Sequence, residues 1–417
     1  MDTTPFHLIL LALDIVVLGG LFLWILVRRN SGSERSVYQY EKSFYAPIAA
    51  RFPSLIWDIV GVILFGGFGL CCFAVLSRLI FTNYVQQHVY RFNVGQCIAE
   101  GIAIHWTLFL IGAASLLYWN RRFTLSAFFC CCAAVLAGIS FNVLYWEPYH
   151  LRVEYYEIKT SKLKKPVRIV FVADIQTDRI TSHEINILKT IQRQDADLII
   201  LGGDYIQTFQ STLDKQLPEK FRQLFLDHPL EAPLGVYAIA GNITDVSDAK
   251  MNDAELFRDT GVQFYSDTTF FDDEEWGPIT LVLLGLGHSW GGPRLAEDSD
   301  HFIVMAGHCP NYAIDGWTNP KTDRSLSGFR NAERAPDLML AGHTHGGQVV
   351  IPFYGPIPIA GDERIKQIPR NMWSGFHTYP NGGHLLVTRG CGLERGWAPR
   401  IRLFCPAEVS VIDIIPE

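Results

Sequence analysis

In the second half of the chain, one short apolar run after another stops at an Asp, Asn or His. VRIVFVAD (residues 167–174) ends in Asp174, ADLIILGGD (196–204) in Asp204, and GVYAIAGN (235–242) in Asn242. ITLVLLGLGH (279–288) ends in His288, HFIVMAGH (301–308) in His308, and LMLAGHTHGGQVV (338–350) turns at His343 and His345. An apolar run of about four to eight residues between turn signals reads as a strand buried on both faces. Strands of that kind build open α/β sheets, whose ligands gather at the carboxyl ends. HLLVTRG and VSVIDII near the C-terminus read as further strands, and a helix is expected from about 183 to 193.

One polar strand tip would mean little, but the repetition predicts a site assembled from strand ends. Carboxylate, amide oxygen and imidazole suit divalent Mn, Fe or Zn. Two such ions about 4 Å apart can clamp a phosphate and turn bound water into a hydroxide nucleophile. A carboxylate between them, here Asp204, would offset their mutual repulsion. Gly342, Gly346 and Gly347 lack a Cβ and leave backbone room for metal and substrate.

The first part of the chain has a different character. Residues 8–27, 55–76, 101–119 and 125–146 are apolar and each is long enough to cross a bilayer, which takes about 20 residues. Trp119 and Trp146 close two of these stretches, as aromatic belts do. Asp14, Asp58 and His105 lie inside them and are read as packing or helix-end residues. The expected organisation is a four-helix transmembrane region over residues 1–150 and a soluble α/β domain over 151–417.

Arg28, Arg29, Arg35, Lys42 and Arg51 load the first inter-helix loop, and Arg121 and Arg122 the third. The positive-inside rule puts those loops in the cytoplasm and the large domain on the extracytoplasmic side of a plasma or inner membrane. Arg152, Lys159, Lys162, Lys164, Lys165 and Arg168 pull against that assignment. A formal net charge of −7 leaves no basic footprint for nucleic acid. Nine cysteines without a CxxC pair give neither a disulfide framework nor a thiolate zinc site.

The ordered segments DIQ (174–176), GGD (202–204), GNITD (241–245), GHCP (307–310) and GHTH (342–345) resemble the motif series of the calcineurin-like metallophosphoesterase superfamily. GHTHGGQ, the loop IPFYGPIP and the tail TRGCGLERGWAPRIRLFCPAEVSVIDI are similar to its membrane-associated branch. The resemblance spans residues 166–415 and implies a sandwich of two mixed β-sheets flanked by helices. It implies one divalent ion on Asp174, Gln176, Asp204 and His345, and a second on Asp204, Asn242, His308 and His343. Catalytic work would fall to Asp204, Asn242 and His308.

Two positions depart from the family pattern. Gln176 stands where a metal-binding His is usual, and Ile243 where a His meets the phosphate and helps the leaving group. A good leaving group, as in a pyrophosphate, needs little protonation. His288 is the candidate substitute, with an ordinary loop role as the alternative. Arg389 and Arg395 are candidates for bidentate phosphate contact or for structural ion pairs; Asp178 and Asp245 are candidates for orienting ligands.

The reading that follows is a membrane-anchored phosphoesterase that hydrolyses a phosphodiester or pyrophosphate, with a lipid-linked substrate fitting the anchor. The alternative is a non-catalytic membrane receptor or scaffold whose degenerate site binds metal or phosphate. A transporter with a regulatory domain rests on the helices alone.

Overall fold

The computed structural model describes residues 15–23, 60–62, 64–66, 93–207, 216–243, 253–266, 269–273, 278–285, 300–314, 317–318, 325–326, 336–357, 368–394 and 399–417. The chain divides into two units, Met1–Asn142 and Val143–Glu417.

In the first unit, α1 (Asn93–Trp119) and α2 (Phe123–Phe141) lie side by side. Phe109, Ala113 and Leu117 of α1 pack against Leu125 and Phe129 of α2. The Ser126 hydroxyl donates to the Ala114 carbonyl at 2.7 Å. Ala99–Trp119 and Phe123–Tyr149 are long and apolar enough to cross a membrane. The expected region of four such helices is therefore represented by two among the described residues. Most of 8–27 and 55–76, with Asp14 and Asp58, lies outside those residues. His105 is buried within α1.

The second unit is built on two six-stranded sheets. The first contains β1 (Arg152–Thr160), β2 (Val167–Val172), β3 (Leu198–Leu201), β4 (Val236–Ile239) and β5 (Gln263–Tyr265). The second contains β6 (Thr269–Asp273), β7 (Ile279–Leu283) and β8 (Phe302–Ala306). The short pair β9 (Trp317–Thr318) and β10 (Ser325–Leu326) follows, then β11 (Leu338–Ala341) and the hairpin β12 (Val349–Ile351) and β13 (Gly355–Ile357). The strands β14 (Gly375–Thr378) and β15 (His384–Val387) complete the second sheet, and β16 (Glu408–Pro416) returns to the first.

The strand orders are β1-β16-β2-β3-β4-β5 and β14-β15-β11-β8-β7-β6. β2, β3, β4 and β5 run parallel, as do β7, β8, β11 and β15. β16 is antiparallel to β2, and β6 and β14 are antiparallel edges, so both sheets are mixed.

Alternation along each strand builds this architecture, because successive side chains face opposite sides of a sheet. Ile169, Phe171, Ile200 and Ile239 face the second sheet and pack with Leu281, Val304, Leu338 and Leu340. Val170, Val172, Ile199 and Leu201 face outward under α3 (Ser182–Gln192) and α4 (Leu217–Asp227), meeting Ile187, Leu188, Ile191, Phe221 and Phe225. On the far side, Val282, Ile303, Met305 and Met339 pack with Tyr312 and Trp373. Both faces of the central strands are thus apolar, which is why their sequences read as unbroken runs rather than alternations.

α3 begins within one residue of the sequence expectation, and a capping box fixes its start. The Thr181 side chain accepts from the first turn, while the Thr181 N–H donates to Glu184 Oε2 at 2.8 Å. The consequence for function lies at one end of the sandwich, where the parallel strands of both sheets deliver their carboxyl tips.

Candidate metal centre

Immediately beyond those tips the backbone turns hard. Asp174, Gln176, Asp204, His343 and His345 all have positive φ, at 55°, 39°, 56°, 71° and 51°. Non-glycine residues reach this left-handed region at a cost of about 1–3 kcal/mol each, and such strain clusters at functional sites. The ladder continues past the strands to hold it: the Asp174 N–H donates to the Gly203 carbonyl at 3.0 Å and the Gln176 N–H to the Asp204 carbonyl at 2.9 Å. A Cβ on Gly241 would lie 2.0 Å from Asp204 Oδ1, so only glycine lets the β4 tip approach this closely.

The side chains converge. His308 Nε2 lies 2.8 Å from Asn242 Oδ1 and 3.2 Å from Asp204 Oδ2. His308 Nδ1 is 2.8 Å from the Gly202 carbonyl, a pure acceptor, which places a proton on Nδ1 and turns Nε2 toward the carboxylate and amide oxygens. Gln176 Nε2 donates to Asp204 Oδ2 at 3.1 Å, and the Ile243 N–H donates to Asp204 Oδ1 at 2.9 Å. Across the site, the His343 N–H donates to Asp174 Oδ2 at 2.9 Å, and His345 Nε2 is 3.8 Å from Asp174 Oδ1. The rings of His308 and His343 meet edge-on, with centroids 5.2 Å apart. All seven side chains proposed from sequence as metal ligands are buried.

Electrostatics follow from this burial. Burial, opposed by His308 and reinforced by Asp204, pushes Asp174 up to about 7. Burial would also raise Asp204, but His308 and the Ile243 N–H outweigh it and hold the carboxyl well below its usual range. For His308, burial disfavours charge, yet Asp204 and Asp174 push the imidazole up to about 9. His345 goes the other way: burial, with Arg402 nearby, keeps it neutral far below the ordinary imidazole value.

The donor set fits divalent metal. Asp174, Asp204 and His308 each present a ligand atom within 4.8 Å of the others, and so do His308, Cys309 and His343. The oxygens of Asp204 and Asn242 and the Nε2 of His308 are lone-pair donors facing one another, an arrangement that a shared proton or a cation reconciles. Among the described residues, neither ring nitrogen of neutral, buried His345 has a hydrogen-bond partner. Cys309 is not among the residues expected from sequence; its place beside His308 in GHCP is the signal that points to it.

Other candidates fall elsewhere. Arg389 binds Glu408 at 2.8 Å and Glu154 at 2.6 Å, so its fork serves the ladder at β1 and β16. Asp178 pairs with Arg400 at 2.5 Å. His288, Asp245 and Arg395 lie outside the described residues. Ile243 is buried and offers the centre only its backbone N–H and an apolar side chain.

Residues 167–347 match the sequence model of the calcineurin-like phosphoesterase family. Phosphodiesterase YaeI of Escherichia coli is 25% identical over 258 residues, covering 60% of this chain and 83% of its own. The metallophosphoesterase YkuE of Bacillus subtilis is 26% identical over 282 residues, covering 65% and 87%. A metallophosphoesterase of Aquifex aeolicus is 23% identical over 298 residues, covering 67% and 97%. These similarities support a place for the domain in the calcineurin-like metallophosphoesterase superfamily. The protein is a phosphoesterase.

Proposed function

We propose that the protein is a membrane-anchored, dinuclear metal-dependent phosphoesterase that cleaves a phosphodiester or pyrophosphate bond, with a lipid-linked phosphate as its substrate. The observation that carries this reading is the convergence of Asp174, Asp204, Asn242, His308, His343 and His345 beyond the strand tips of both sheets. Bound divalent ions would supply an activated water nucleophile and neutralise charge on the phosphate.

The chain's own residues divide the remaining work. Asp204 faces both halves of the donor set and would serve as the ligand common to both ions. Asp174, Gln176 and His345 form one side; Asn242, His308 and His343 form the other. Gln176 turns its amide nitrogen to Asp204, and its side-chain oxygen would be the atom that ligates an ion. That is a harder donor than imidazole, and it favours Mn over softer ions at this position. Ile243 supplies no proton, so bonds with good leaving groups are favoured. His288 is the candidate general acid from the sequence.

The membrane reading is supported by α2, which displays Phe128, Val135 and Ile139 outward. Such an apolar surface suits lipid rather than water. The phosphodiesterase name of the Escherichia coli relative supports the bond class.

The test is hydrolysis of an aryl phosphodiester by metal-stripped protein, then with Mn, Zn or Fe restored, beside Asp204→Asn and His343→Ala. Metal-dependent turnover lost in both variants supports the reading. Turnover with a pyrophosphate alone narrows the substrate. Metal binding without turnover on either would favour the receptor reading.

A further inference from the structure

The β12–β13 hairpin carries apolar side chains that the domain leaves uncovered. Phe353 at its tip is fully exposed, Tyr354 is 61% exposed, and Ile351 is exposed beside them. Phe353 also has a φ of 68°, so the chain adopts an unfavourable backbone while presenting an aromatic ring outward. A third exposed aromatic, Phe404 at 62%, belongs to the same neighbourhood. Its neighbour Leu403 donates its N–H to the Gln348 carbonyl at 2.9 Å and accepts from the Val350 N–H at 2.9 Å.

That 402–405 segment is tied on its other side to the place where the apolar stretch Phe123–Tyr149 ends. The Arg402 N–H donates to the Val143 carbonyl at 3.1 Å, and the Cys405 N–H to Glu147 Oε1 at 2.5 Å. Here Tyr145 and Trp146 are exposed as well. Three backbone segments of the second unit, joined by hydrogen bonds, thus carry exposed aromatics, and one of them, residues 143–149, directly follows the apolar helix α2 in sequence. Tyrosine and tryptophan in that position mark the membrane–water interface. A cation completes the chemistry: the Arg370 guanidinium sits over the Tyr354 ring at 5.1 Å, on an exposed residue placed to meet headgroup phosphate.

We propose that the β12–β13 tip and Phe404 dock into the interfacial layer of a phospholipid bilayer. The proposal rests on the membrane-anchored reading above. Docking has a consequence for the substrate. The hairpin starts directly after GHTHGGQ, four residues beyond His345, so its insertion holds the rim of the metal centre at headgroup level. The scissile bond is then one in the headgroup region of a membrane lipid rather than in a substrate drawn from bulk water.

The experiment uses the full chain in nanodiscs of phosphatidylethanolamine and phosphatidylglycerol. A photoreactive benzoyl-phenylalanine is placed singly at Phe353, at Phe128 in α2, or at exposed Glu231, and lipid adducts are read by mass spectrometry after irradiation. Lipid adducts at 353 and 128 with none at 231 are expected. An adduct at 128 but not at 353 overturns docking and leaves the membrane anchor standing. No adduct at either position overturns the anchor and the docking together. Cross-links from 353 to a second protein chain, without lipid adduct, overturn docking and make this face a contact between copies.

Discussion

Gly392 donates its backbone N–H to the carbonyl oxygen of Asp174 at 2.7 Å. The proposed metal ligand that opens the site is therefore gripped by the tail that closes the domain. The preceding Cys391 N–H bonds the Ala173 carbonyl at 3.1 Å. Fully buried Arg402 fixes this loop from behind, donating to the carbonyls of Arg389, Gly390, Gly392 and Cys405. No carboxylate is needed, because a guanidinium fork can satisfy its donors on several carbonyl oxygens at once.

Gly392→Ala tests this grip. A Cβ there would fall 1.9 Å from the Ile175 carbonyl oxygen, and backbone on both sides must move. Overpacking of this kind costs about 1–3 kcal/mol, and the displaced chain carries Asp174. Weakened metal binding by titration calorimetry is expected alongside a lower melting temperature. A lower melting temperature with unchanged metal affinity would mean that the loop supports the fold and not the ligand.

Ile243→His restores a protonatable group at a buried position whose backbone N–H already reaches Asp204 Oδ1 at 2.9 Å. General acid catalysis is worth about 10²–10⁴-fold when the leaving group needs a proton. The variant should gain most on alkyl phosphodiesters and least on nitrophenyl esters, so the dependence of rate on leaving-group pKa flattens. Equal effects on both ester classes would show that the introduced ring only reshapes the pocket.

Much of this arrangement was legible because burial on both faces erases alternation. β2, β3, β4, β8 and β11 are short apolar runs, and their tips announced themselves as polar residues, after a glycine in every case but Asp174, which follows Ala173. Edge strands escaped. β1 reads RVEYYEIKT, with charges throughout, and becomes a strand through its register with β16, more than 250 residues away. Arg389 takes the structural ion-pairing role that the sequence left open beside phosphate contact, but its partner Glu154, 235 residues distant, was not legible. The left-handed backbone at five site residues leaves no mark on composition, since Asp, Gln and His are ordinary residue types in loops.

Acid should loosen the β14–β15 edge. Burial lowers the pKa of His377 and of His384, against a pull from Asp337 in the second case. The His384 ring stacks on Phe376 with centroids 5.1 Å apart, an environment that favours the neutral form. The folded state therefore binds fewer protons than the unfolded chain, whose imidazoles titrate near about 6.5. Stability from this source is complete above that pH and is lost as pH falls through the folded values. The two imidazole midpoints, assigned by difference with His377→Gln and His384→Gln in an NMR titration, should lie below 6.5. A midpoint above that value for either ring contradicts the burial argument.

Metal removal and the Asp204→Asn substitution should converge on the same state. A ligand present at a hundredfold excess over its Kd stabilises a fold by roughly 2.7 kcal/mol, so chelation should lower the melting temperature and added divalent metal should restore it. Asp204 accepts from the Ile243 N–H at 2.9 Å and from Gln176 Nε2 at 3.1 Å, and faces His308 Nε2 at 3.2 Å. An Asn at this position keeps the size but turns an NH₂ group toward one of those donors, and it removes the charge that lies between the two halves of the ligand set. The variant should therefore show no metal-dependent rise in melting temperature. Asp174→Asn makes the informative contrast, since Asn242, His308 and His343 remain as a set on the other side of Asp204. It should retain part of the rise. Equal losses in the two variants would argue for a single ion shared by the whole centre.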